Sequence, residues 1–117
     1  MLRPGINSAI AAAFVASALL APAAAQGVES VAQGARWLKI CTSERRVDEA
    51  TCHGFIMGME ETQFLRENTP QFCPPPAFTV EDEKAVIVKF LQRNPGRLGE
   101  RFARLAVDAM KQAYPCR

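Results

Sequence analysis

The chain has 117 residues, 49% of them hydrophobic and 22% charged, with 14 basic side chains against 12 acidic ones and a net charge of +2. No basic stripe stands out in that balance, so nucleic acid is not an expected partner, and the length allows one small domain. So small a domain has little core to bury and commonly relies on covalent staples.

Residues 1–25 read as a secretory signal peptide in three parts. Arg3 supplies the positive start, Ala9 to Ala21 form an uncharged apolar run, and Ala23, Ala24 and Ala25 supply the small side chains of a cleavage site. The cut is expected between Ala25 and Gln26. The apolar run is shorter than the roughly 20 residues needed to cross a hydrocarbon core, so a membrane anchor is not expected. No cysteine sits at the cut, which disfavours a lipoprotein, and nothing later is apolar enough to insert in a membrane. Removing 25 residues from 117 leaves 92, the domain 26–117, with a net charge of +1 once Arg3 is gone. Its expected location is the periplasm.

Periodicity and punctuation predict four helices in that domain and no strand. The first runs from about Val28 to Cys41, with Val28, Val31, Ala35 and Leu38 on one face and Trp37 beside it. A polar turn from Thr42 to Asp48 ends it. Asp48 is the expected N-cap of the second helix, which continues to about Arg66 and buries Cys52, Phe55, Ile56, Met59 and Phe64. Asn68 and Pro70 stop that helix, and Pro70, Pro74, Pro75 and Pro76 make the following connection extended and stiff. Thr79 caps the third helix, with Asp82 completing an imperfect capping box and Val80, Val86, Ile87, Phe90 and Leu91 facing the core. Asn94, Pro95 and Gly96 form a turn. The last helix is expected from about Leu98 to Ala113, where Leu98, Phe102, Leu105, Ala106, Ala109, Met110 and Ala113 recur at spacings of three and four. Short turns between four helices imply a compact up-and-down bundle.

Four cysteines, Cys41, Cys52, Cys73 and Cys116, follow the signal segment, and an even number in an exported chain implies disulfides. There is no C-x-x-C pair and only one histidine, so no metal site and no cofactor are expected. Alternating helix directions place Cys41 and Cys52 at one end of the bundle and Cys73 and Cys116 at the other. A Cys52 to Cys73 bridge would have to span a continuous helix of about 18 residues, roughly 27 Å. Cys41 to Cys73 is possible only if the proline segment doubles back. The favoured pairs are therefore Cys41 with Cys52 and Cys73 with Cys116.

No catalytic set stands out. His53 has no companion histidine and its neighbour Cys52 is committed to a bridge, while Glu60 and Glu61 are adjacent on a helix and do not face each other. Gly54 and Gly58 form a G-x-x-x-G step, and each glycine costs about 1 kcal/mol in a helix interior, so they are expected to admit close packing of another helix inside the bundle. Trp37, Met57 and Met59 read as core or rim. The remaining surface with character is the turn around Glu44, Arg45, Arg46 and Asp48, which the first bridge would hold rigid for docking to a partner.

The ordered residues Cys41, Cys52-His53-Gly54-Phe55-Ile56-Met57-Gly58, Phe72-Cys73-Pro74 with a capped helix after it, Phe90-Leu91, Pro95 and Tyr114-Pro115-Cys116 resemble the Rap/Tai family of type VI secretion immunity proteins. That resemblance covers nearly the whole domain. It implies a periplasmic helical protein, often a homodimer, that binds a cell-wall amidase toxin and blocks its active cleft without doing chemistry. The alternative expectation is a periplasmic structural or stress-related protein with no toxin partner.

Overall fold

The computed structural model describes residues 32–65 and 69–117. The expected signal peptide, its cleavage site at Ala25 and Gln26, and Val28 and Val31 of the first helix lie outside these residues, as does the end of the second helix at Arg66. The described residues form α1 (Gly34–Cys41), α2 (Arg46–Leu65), α3 (Val80–Arg93), a 3-10 turn (Pro95–Arg97) and α4 (Phe102–Ala113). They make the all-α, up-and-down bundle the periodicity predicts, with no strand among them and one isolated antiparallel bridge between Gln33 and Arg101. The short α1 sits in the middle and packs against the other three helices, and α3 packs against both α2 and α4.

Ile56 from α2, Ile87 and Leu91 from α3, and Phe102, Leu105, Ala106, Ala109 and Met110 from α4 bury their side chains in one core. Trp37 of α1 stacks on Phe102, with ring centroids 4.8 Å apart, and Phe55 of α2 meets both rings at 4.5 and 4.9 Å. This aromatic triad joins three helices at one point, in geometries that add to the burial itself. Phe72 anchors the proline-rich connection by burying its ring while its neighbours stay at the surface. Phe78 meets Tyr114 edge-on at 4.8 Å, and the backbone N–H of Cys73 donates to the Tyr114 carbonyl at 2.8 Å.

Both disulfides are as the topology requires. Cys41 joins Cys52 across a Cα separation of 5.2 Å, and Cys73 joins Cys116 across 4.9 Å. The first bridge is buried in the core, whereas both cysteines of the second are exposed.

Three local expectations are corrected. First, α2 begins at Arg46, so Asp48 is not its N-cap. Asp48 lies within the first turn, where its carboxylate accepts a hydrogen bond from the Ser43 hydroxyl at 2.6 Å. Second, α4 begins at Phe102 because the preceding carbonyls serve another helix. The N–H groups of Gly34 and Ala35, unpaired within α1 by their position in its first turn, donate to the carbonyls of Glu100 and Leu98 at 2.9 and 3.0 Å. A methyl group on Gly34 would lie 2.5 Å from Leu105 Cδ1, so any larger residue here requires the buried Leu105 side chain to shift. Third, Ala35 is exposed, and α1 instead buries Gly34 and Cys41, with Trp37 and Leu38 half-buried.

The start of α3 matches its expected cap. The Asp82 N–H donates to the Thr79 hydroxyl oxygen at 3.2 Å, and the Thr79 N–H donates to the Asp82 carboxylate at 2.9 Å. The Thr79 hydroxyl, which donates to the Asp82 carboxylate at 2.7 Å, and then the Thr79 N–H hold that carboxyl below its usual range. Thr79→Ala removes half of this reciprocal pair and is expected to lower stability by about 1 kcal/mol in chemical denaturation.

Candidate functional site

Helix α2 carries apolar residues on two opposite faces rather than one. At 100° per residue Cys52, Ile56, Met59 and Gln63 cluster on one side, and all four are buried. Val47, Ala50, Gly54, Met57, Gly58 and Leu65 fall on the opposite side together with Glu61, and all are exposed. Val47, Met57 and Leu65 are 58%, 55% and 82% accessible and are the exposed large apolar side chains among the described residues. A face of this kind along one helix marks a contact surface more readily than scattered single residues would.

Gly54 and Gly58 belong to this outer face, which corrects their expected role. Nothing lies within 4 Å of where a Cβ would stand on either residue, so no helix of the bundle approaches them. Met57 and Met59, expected as core or rim, divide between the two faces, Met59 inward and Met57 outward.

The turn before α2 continues this surface. Glu44, Arg45 and Arg46 are exposed, and Asp48 is half-buried. Besides accepting from Ser43, Asp48 lies 3.8 Å from the Arg45 guanidinium, and the Arg45 N–H donates to the Ser43 hydroxyl at 3.2 Å. Only a few residues separate Cys41 from this knot, and the Cys41–Cys52 bridge spans it. Covalent and polar ties together fix the backbone of the turn, so little conformational entropy is left to lose when it docks.

Two other features are of a different kind. An open groove of about 480 Å³ between α3 and α4 is lined by Val86, Lys89, Phe90, Arg93, Ala109 and Ala113, which can seat a side chain but offers no enclosed reaction space. His53 faces α3, with Nε2 2.7 Å from Glu81 Oε1 and 3.3 Å from Lys84 Nζ.

Sequence reasoning passed over Glu83, which is 1% accessible with neither carboxylate oxygen hydrogen-bonded. Burial first, and the Glu60 carboxylate second, push its pKa from 4.5 up to about 7. The run Glu81-Asp82-Glu83 reads as an acidic first turn favoured by the helix dipole. The signal that could have separated Glu83 is its spacing of four and eight residues from the buried Ile87 and Leu91.

Comparison with known proteins adds one match. The family of Rap1a immunity proteins matches residues 33–116. No curated protein and no solved structure is significantly similar to the chain.

Proposed function

Because the chain belongs to the Rap1a immunity protein family, we propose that it is a periplasmic immunity protein that neutralises a peptidoglycan amidase toxin of a type VI secretion system by covering its active cleft. The toxin docks on the outer face of α2 together with the stapled turn at Glu44, Arg45, Arg46 and Asp48. The observation that carries this reading is the second apolar face of α2, which the bundle leaves uncovered along the helix. Apolar and small residues dominate this face, with Glu61 among them and further charged residues at one end, a mixture suited to a protein interface. An exported protein also meets the oxidising conditions that its two disulfides need, and the amidase substrate lies in the same compartment.

The test is protection of cells. Co-expression of this protein with the amidase encoded beside its gene, both sent to the periplasm, should prevent lysis, and Met57→Arg should remove protection while leaving the fold intact. Undiminished protection by Met57→Arg and by an Arg45→Glu, Arg46→Glu double variant would move the docking surface elsewhere. Lysis in the presence of the unaltered protein would sink the immunity role and leave a structural or stress-related one.

A second copy of the chain is the competing occupant of the same face, since Gly54 and Gly58 leave room for a close helix approach. Light scattering decides between them. A dimer that becomes monomeric on Gly58→Arg without losing toxin binding assigns the face to self-association.

A further inference from the structure

Met57 and Met59 stand two residues apart on α2, about 200° around the helix, and meet opposite environments. Met59 is 8% accessible and faces the core, whereas Met57 is 55% accessible on the outer face. Met110, in the core stripe of α4, is fully buried. Little on α2 shields the Met57 thioether. Gly54, one turn earlier, and Gly58, beside it, carry no side chain, and nothing lies within 4 Å of where a Cβ would stand on either.

Thioether sulfur is soft and polarizable, and with the cysteine thiolate it is a side-chain atom that oxidants attack readily. Thiols do not compete here, because all four cysteines are held in the two disulfides. Trp37 is half-buried and stacked on Phe102. Met57 therefore carries the one exposed thioether among the described residues. In its reaction with hydrogen peroxide, a sulfur lone pair attacks one peroxide oxygen, so that the S–O bond forms as the O–O bond breaks. Sulfur gives up two electrons, and the proton on the transferred oxygen passes to the departing hydroxide, which leaves as water. The product is a sulfoxide, polar where the thioether was apolar. Pressed against a partner with no donor opposite it, the new oxygen weakens binding by roughly tenfold or more.

We propose that Met57 is an oxidant-sensitive modification site: peroxide converts it selectively to the sulfoxide in the folded protein, and the modified outer face of α2 no longer docks. The loss of docking rests on the proposed use of that face for binding, whereas the selective oxidation does not. Methionine sulfoxide is the oxidised form that dedicated reductases return to the thioether, so the change is reversible.

Peroxide treatment of the purified, disulfide-bonded protein, followed by peptide mapping with fragmentation to separate Met57 from Met59, tests the site. Met57 is expected to gain one oxygen several-fold faster than Met59 and Met110, with the circular dichroism of the domain unchanged. Oxidation of Met59 or Met110 at the same rate would overturn the selectivity. Chromatography of the treated protein then yields singly oxidised and unmodified fractions from one sample, and each is titrated into the amidase encoded beside the gene. The oxidised fraction should bind roughly tenfold more weakly or worse, and the unmodified fraction as before treatment. Met57→Leu serves as its own reference: whatever its affinity, peroxide should leave it unaltered. Equal binding by the two fractions would overturn the switch while leaving the docking surface in place. Absence of binding before any treatment would instead remove the docking reading and the switch with it, and the mapping would still decide whether Met57 is the site of oxidation.

Discussion

Replacing Cys73 and Cys116 together with alanine is expected to lower the unfolding free energy by about 4 kcal/mol in the chain-entropy model. That bridge closes a sequence separation of 43 residues, against 11 for Cys41–Cys52, for which the same model gives about 3 kcal/mol. Domains of ordinary stability unfold at a cost of about 5–15 kcal/mol, so either loss removes a large share from one this small. The two bridges differ in surroundings as well as in loop length. Cys41 and Cys52 are buried, and their replacement also gives up packing in the core, which narrows the gap between the two effects. Cys73 and Cys116 are exposed, and two non-covalent ties lie beside them, the Cys73 N–H bond to the Tyr114 carbonyl and the Phe78–Tyr114 ring contact. Denaturant unfolding of both double variants measures the balance. A loss below about 1 kcal/mol for the Cys73, Cys116 pair would mean that those ties already hold the end of the chain, against the entropic expectation.

Glu83→Gln is expected to stabilise the protein above pH 7 and to be neutral in acid. An unfolded Glu83 titrates near 4.5, whereas burial and Glu60 raise the folded carboxyl to about 7. Between those values the folded state holds a proton that the unfolded state has released. Stability from this group is therefore fully present below pH 4.5 and drains away as pH rises to 7. The full span amounts to about 3 kcal/mol. Glutamine keeps the shape of the neutral acid and does not ionise, so the gap between variant and parent should open across that window and then stay level. Unfolding curves of both proteins across the range measure it. Equal stability at all pH values would mean that the ionised carboxylate reaches water or a cation in solution.

Much of the architecture was legible because helix periodicity and punctuation agree. The stripe from Phe102 to Met110 names the buried face of α4 residue by residue, and Thr79 with Asp82 marks the start of α3. The disulfide pairing followed from helix direction alone. What was not legible depends on tertiary contacts. The apolar residue Leu98 extends the α4 pattern backward, yet its carbonyl caps α1 and the helix starts later. Gly54 and Gly58 signal close approach, but a single sequence does not say whether the approaching helix is its own or another molecule's. Val47, Met57 and Leu65 were hidden because α2 is apolar on both sides, so no single face dominates its pattern. Glu83 escaped notice within an acidic triplet whose other members face solvent.

The most direct measurement is titration of the purified, oxidised protein into the proposed partner, a peptidoglycan amidase encoded beside its gene, reading binding heat and cleavage of peptidoglycan peptide bonds in the same mixtures. Saturable binding is expected, with cleavage falling to nothing as the sites fill and both effects lost in Met57→Arg. Unimpaired cleavage in excess protein, with no heat of binding, would contradict a toxin-neutralising role for the outer face of α2.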